Sequence, residues 1–250
     1  MNLFLHGVQT FEIVNNDTLT NPGFIENGQL KTFDVVLANP PYSISQWDRD
    51  ACASDKYGRN MFGAPAQGIA DYAFFQHILK SMNPDHGRCA ILFPRGILSR
   101  YAETEMRKKL VQSDMLECIV GVGKGLFYNS PMEACVVICN NNKRAELKNK
   151  VLLVNASKHI VREGTQNYLT DEHIKDISSV YESLAEIDGF SKIVSNEEIL
   201  SNNASLSVTL YVPHLLSQES EVLDFDESYS MWHESLSRKN IETQRLIEML

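Results

Sequence analysis

DVVLANPPY, residues 34–42, is an apolar run that closes on an amide, two consecutive prolines and an aromatic ring. Buried strands rarely end so stiffly. Each proline fixes φ at about −65° and donates no backbone hydrogen bond, so the carbonyls here project from a rigid chain. In open α/β sheets, ligands bind beyond the carboxyl ends of the strands. Asn39 offers an amide oxygen there and Pro40 a backbone carbonyl, two neutral acceptors with the Tyr42 ring beside them.

Outward from this stretch, FEIVN (11–15), RCAILFP (88–94), LECIVGV (116–122) and EACVVICN (133–140) are continuous and β-branched, the pattern of strands buried on both faces. DYAFFQHILKSM (71–82) and AETEMRKKLVQ (102–112) carry a helical period, with Asp71 expected at the N-cap of the first. The alternation predicts an α/β fold, a mostly parallel sheet covered by helices. GKGLFYNSPM has no helical period, so the runs flanking it are expected to pair antiparallel at the sheet's edge, with KVLLVNAS (150–157) adding a strand. Past residue 170, DEHIKDISSVYESL reads as an amphipathic helix and FSKIVSNEEILSN as a short strand feeding another. We therefore divide the chain into a sheet-forming domain, 1–157, and an acidic, mainly helical extension, 158–250.

Ser43 to Ala70 shows little period of either kind over 28 residues. Loops beyond about 12–15 residues in compact domains are usually functional or disordered. This one holds Trp47, Arg49, Lys56, Tyr57, Arg59 and Phe62, the interleaving of aromatic and basic residues that stacks bases and neutralises phosphate. The bland alternative is a variable surface loop.

The net charge of −9 is unevenly spread, with +1 in residues 1–150 and −10 in residues 151–250. An autonomous nucleic-acid binder shows a basic excess, which this chain lacks, so any DNA affinity would come from a partner or from a local patch in the first half. The acidic half also reads simply as a solvated surface. Five cysteines without a C-x-x-C pair read as reduced packing residues, and seven scattered histidines at no ligand spacing predict no metal site. The N-terminus lacks a signal-peptide pattern and no run reaches membrane-spanning length, so the expected location is the cytoplasm.

The acceptor pair suits an exocyclic amine. Such an amine is a poor nucleophile because its lone pair is delocalised into its ring, and two acceptors on its N–H groups aim that pair at an electrophile. A planar base can stack on Tyr42, and a base in a duplex must first be flipped out. NPPY at a strand end resembles the catalytic motif of amino-group methyltransferases that use S-adenosylmethionine. The collinear segments MNLFLHGV, NNDTL, FDVVLANPPYS, YGR, ADYAFFQHIL, GRCAILFPRGIL, LFYNSPMEACVVI, KVLLVNAS and GFSKIVSNEEI resemble the modification subunit of type I restriction-modification systems, over residues 1 to about 212.

The resemblance implies a Rossmann-like methyltransferase sheet, transfer of a methyl group to N6 of adenine in DNA, and a catalytic motif of Asn39, Pro40, Pro41 and Tyr42. Asn39 would also face the cofactor, and Asp17 in NNDTL would lie near the cofactor's adenine. On sequence alone, Asp17 is equally a helix N-cap or turn residue. The implied partners are DNA, a specificity subunit and a restriction subunit.

The family's Gly-rich cofactor loop has no match. GVGKG (121–125) carries Leu126 where a third glycine belongs and leads into no helix, so it reads as a loop at the sheet edge. The family strand order is 3-2-1-4-5-7-6, and we expect strands 3 to 7 here, with 11–15 as strand three and strands one and two absent. Strands three and four should then expose unpaired edges, and a separate polypeptide would supply the cofactor loop. Two other readings stay open: an incomplete fragment or assembly module whose acidic C-terminal helices dock a specificity subunit, and a methyltransferase acting on protein glutamine.

Overall fold

The apolar runs around DVVLANPPY become neighbouring strands in a computed structural model, which describes residues 2–42, 44–127, 132–164 and 166–213 together with Tyr229 and His233. Residues 1–214 form one compact unit, and the expected helices of Ser217 to Leu250 lie outside the described residues except at those last two positions. A short α1 (Asn2–Leu5) and a small hairpin of β1 (Ile25–Glu26) with β2 (Gln29–Leu30) precede the main sheet. The chain continues through β3 (Val35–Ala38), α2 (Arg49–Ala53), α3 (Asp71–Lys80), β4 (Arg88–Pro94), α4 (Thr104–Gln112), β5 (Leu116–Val122) and β6 (Ala134–Asn140). It ends with β7 (Lys150–Ala156), a hairpin of β8 (Val161–Glu163) and β9 (Gln166–Tyr168), α5 (Asp171–Ser183), β10 (Ser191–Ser195), α6 (Asn196–Ser201) and α7 (Val208–Tyr211).

Six strands form one sheet in the order β10-β7-β5-β6-β4-β3. β3 runs parallel to β4, and β5 to β7. Because β6 returns between β4 and β5, both of its contacts are antiparallel, and β10 lies antiparallel on β7. The succession β3-β4-β6-β5 follows the 4-5-7-6 part of the expected order. The β5–β6 pair is not the sheet's edge, since β7 and β10 extend the sheet beyond it. With β10 in place, the sheet runs well past residue 157.

Alternation along the strands explains why their sequences are apolar throughout. Ile119, Val151 and Leu153 face a core shared with Tyr72 and Phe75 of α3, Phe93, Leu110 of α4, Ile199 of α6 and Tyr211 of α7. Cys118, Val120, Leu152 and Val154 face the opposite core, under Val180 of α5 and Phe190. Two buried faces leave no place for a polar residue at every second position. The five cysteines are free and buried, as packing residues are.

Two further expectations are corrected. Residues 11–15 form no strand: Ile13 is 72% exposed, Phe11 and Val14 are also exposed, and none pairs with a neighbour among the described residues. Without an adjacent ladder to satisfy its amides, an apolar pentapeptide has nothing to hold it as a strand. Nor is Asp71 the N-cap of α3. Ala70 occupies that position, and the Asp71 carboxylate instead accepts from Arg100 Nη2 at 2.6 Å, an ion pair that outcompetes the cap.

Candidate active site at the carboxyl end of β3

β3 ends at Ala38, and Asn39, Pro40, Pro41 and Tyr42 follow at the carboxyl end of the sheet. Asn39 and Pro41 are exposed, while Pro40 and Tyr42 are half-buried. The Tyr42 hydroxyl donates to Asn39 Oδ1 at 2.7 Å, so the ring three residues on fixes which way the amide oxygen points. Burial, with Cys135 nearby, raises the Tyr42 pKa, which keeps the phenol protonated and able to donate. An amide oxygen has two lone pairs, so the one beside the Tyr42 bond remains an acceptor. Sequence reading missed this contact, although its signal was present: a hydroxyl three residues after the amide, across a stiff Pro-Pro turn.

The neighbouring strand adds a second polar group. Just past β4, Arg95 is ion-paired with Glu133 and donates from Nη2 to Thr209 Oγ1 at 2.8 Å. Deeper in the same region, Arg100 bridges Asp71 and Glu103, at 2.6 and 2.8 Å. Both carboxylates are buried, so this clamp fixes the start of α3 against the segment after β4.

The segment after the motif is ordered by contacts of its own. α2 lies within it, and Trp47 and Ile44 pack against Leu19, Cys52, Ala70 and Ala73. The Trp47 indole N–H is buried without a hydrogen-bond partner. Arg49 donates from Nε to the Pro65 carbonyl at 2.8 Å. Lys56 is exposed, with its ammonium 5.0 Å from the centre of the half-buried Tyr57 ring. Arg59 and Phe62 point inward and are buried. Of the six residues singled out in this loop, the structure thus leaves Lys56 exposed, half-buries Trp47, Arg49 and Tyr57, and encloses Arg59 and Phe62.

Asp17 stands in a turn. Its Oδ1 accepts from the amides of Leu19 at 2.9 Å and Thr20 at 3.3 Å, which settles its local geometry as that of a turn residue. Partial burial works to raise its pKa, but these amides, Thr20 and the Arg59 charge outweigh it and hold the carboxyl below its ordinary 3.8. An ionised carboxylate is therefore present at neutral pH. A cleft of about 270 Å³ opens beside this turn, lined by Asn16, Thr18, Phe24, Phe33, Val36 and His77 among others. GVGKG is a strand-end turn: Asn167 of β9 donates to the carbonyls of Gly125 at 3.1 Å and Lys124 at 2.7 Å.

The model of one protein family, N-6 DNA Methylase, matches residues 1–220. The MjaVIII type I restriction enzyme methylase subunit of Methanocaldococcus jannaschii is 33% identical over 241 residues, covering 92% of this chain and 41% of that protein. The HindI methylase subunit of Haemophilus influenzae is 29% identical over 237 residues, covering 91% of this chain and 51% of that protein. Among solved structures, the type I restriction-modification methyltransferase subunit of Streptococcus thermophilus superposes with a TM-score of 0.77 at 33% identity, over 86% of this chain and 45% of that one. The chain spans about half the length or less of these relatives. Among the described residues no helix is long and apolar enough to cross a membrane.

Proposed function

The chain belongs to the N-6 DNA methylase family, and from that premise we propose that it carries the acceptor side of an S-adenosylmethionine-dependent adenine-N6 DNA methyltransferase working in a type I restriction-modification assembly. The observation that carries this reading is the Asn39 amide, set on a stiff strand end and oriented by Tyr42. Asn39 Oδ1 and the Pro40 carbonyl accept the two N–H bonds of a flipped adenine's amine and turn its lone pair outward. Tyr42 holds the amide and lies against the base. S-adenosylmethionine, when bound, supplies a methyl group on a positively charged sulfur, and a neutral amide beside that charge orients the amine without a competing ion pair. The ionised Asp17 carboxylate would accept from an exocyclic amine of the cofactor's adenine, and Asn39 would also contact the cofactor.

On the DNA side, exposed Lys56 offers a cation, half-buried Tyr57, Trp47 and Arg49 add rings and a second cation, and Arg59 and Phe62 are enclosed within the loop. The edge of β3, with Leu37 77% exposed, favours further polypeptide laid along it, in a longer chain or a separate one that brings the Gly-rich cofactor loop. Partnership with specificity and restriction subunits follows from the type I relatives, and the acidic segment from Ser217 to Leu250 is the proposed docking element for the specificity subunit. We place the protein in the cytoplasm, where its five buried thiols stay reduced.

The test is methyl transfer to duplex DNA by the chain assembled with its specificity subunit. Incorporation at adenine N6 that disappears in Asn39→Ala, with cofactor affinity retained, is the expected result. Full activity in Asn39→Ala, or methyl groups found on protein instead of DNA, overturns the reading.

A further inference from the structure

One buried guanidinium joins the turn proposed to meet the cofactor to the loop proposed to meet the target base. Arg59, 4% exposed, is held on its own loop by Asp55, with Nε 2.9 Å from Oδ1 and the backbone amide 2.7 Å from Oδ2. Nη2 also lies 2.7 Å from Asp55 Oδ1, and both terminal nitrogens reach beyond the loop. Nη1 reaches the Thr18 carbonyl at 3.1 Å, and Nη2 the Leu19 carbonyl at 2.7 Å, 41 and 40 residues away in the chain. Nη1 also lies 3.3 Å from His77 Nδ1 on α3, which can only accept from it.

The same turn is gripped from its other side. Asp17 Oδ1 holds the amides of Leu19 and Thr20, and Arg59 holds the carbonyls of Thr18 and Leu19. Leu19 is thus bonded through its amide to Asp17 and through its carbonyl to Arg59, and its side chain is buried among Cys52, Ala70 and Ala73. A movement of the Asp17 carboxylate is therefore felt at the peptide groups that Arg59 holds. Planar, five-donor geometry is needed to span all these acceptors at once, and lysine, a point charge, cannot do so.

We propose that Arg59 is a positioning residue that couples the Asp17 turn to the loop from Ile44 to Ala70, so that occupation of the cofactor side orders the surface offered to the target base. The cofactor part of this inference rests on the reading of Asp17 given above. The coupling between turn and loop stands on the hydrogen bonds alone. Allosteric couplings of this kind amount to about five-fold or more in an equilibrium.

Hydrogen–deuterium exchange on the full chain tests it through four proteins: the unsubstituted chain, Asp17→Ala, Arg59→Lys and the double variant. Asp17→Ala is expected to speed exchange of amides 44–64 about five- to tenfold. In the Arg59→Lys background the same change at Asp17 should leave those amides where Arg59→Lys alone put them. Independent, multiplicative effects at the two positions overturn the coupling. Exchange in β4 and β7 checks that each variant is folded. Should Arg59→Lys not fold, Arg59→Gln, whose shorter amide cannot span Asp55 and the Thr18 and Leu19 carbonyls together, replaces it with the same expectation. Collapse of both variants marks Arg59 as a purely structural residue and overturns the proposal too. Adding S-adenosylmethionine to the assembled methyltransferase separates the two premises: a non-additive cycle without protection of amides 17–21 removes the cofactor role of Asp17 and leaves the coupling standing. Protection at both 17–21 and 44–64, the latter lost in Arg59→Lys, supports the whole.

Discussion

β3 and β4 lie side by side, paired from Val35 against Arg88 to Ala38 against Ile91, yet their surroundings differ sharply. β4 has a strand on each side, and its Ile91 and Phe93 are buried. β3 is the outermost strand of its sheet, with Val35 49% and Leu37 77% exposed. The proposed chemistry stands on the second of these strands. Stability and the proposed function are therefore separated by one strand spacing: the middle of the sheet holds the fold, and its half-supported edge carries the proposed acceptor groups.

The contrast is broken most directly by truncating one side chain on each strand. Phe93→Ala removes a ring packed 5.3 Å from that of Phe75 and should cost about 3–5 kcal/mol in urea unfolding. Leu37→Ser, at an exposed position, should change stability by no more than about 0.5 kcal/mol. Equal losses would mean that β3 is as much a part of the cooperative core as β4.

Function should show the reverse order. Asn39→Ala is expected to lower the methyl-transfer rate of the assembled enzyme by about 10²–10³-fold, the usual loss for one preorganised polar group at a reacting centre. Its melting temperature should not move, because Asn39 is exposed. A fall in melting temperature that matched the fall in rate would turn Asn39 from a reacting-site group into a strand-end support.

A pH dependence separates the regions in another way. His77, on α3, meets Arg59 of the loop, and burial, then the Arg59 charge, push its pKa down to about 4 from 6.5, with Asp55 opposing. Between those values the unfolded chain binds the extra proton and the folded chain does not. Stability should therefore decline as pH falls from 6.5 towards 4, by at most about 1.4 kcal/mol per pH unit from this one group. The carboxyls of Asp17 and Asp55 add their own loss only below their ordinary 3.8, since both are held lower in the fold. Thermal melts of His77→Gln between pH 7 and pH 4.5 should show a flatter profile than those of the parent chain. An unchanged slope would place the acid-sensitive group elsewhere.

Much of this was legible in the sequence, for identifiable reasons. The strands at 88–94 and 116–122 were readable to the residue because burial on both faces forces an unbroken apolar run. FEIVN has the same texture and forms no strand, because a run of residues cannot state whether a neighbour exists to pair with it. Asn39 to Tyr42 were legible through their stiff backbone, which is a local property. The roles of Arg59 and Asp71 were not, since Thr18, Leu19 and Arg100 are brought to them by the tertiary fold. A basic residue in a polar loop reads as surface, and nothing near Arg59 in the chain except Asp55, four residues before it, hinted otherwise.

The smallest effect bears on how the edge is tuned. Tyr42→Phe keeps the ring proposed to lie against a base and deletes only the 2.7 Å bond to Asn39 Oδ1. One such bond is worth about 1 kcal/mol net, so kcat for adenine methylation should fall about fivefold, while stacking, read by the fluorescence of a 2-aminopurine placed at the target position, stays as it was. Tyr42→Ala should lose both. Were Tyr42→Phe as damaging as Asn39→Ala, the hydroxyl would be doing more than orienting an amide. Were it silent, the bond would belong to the resting chain and be exchanged for the bond to the amine, which would make Asn39 a residue held ready by Tyr42 and released when the base arrives.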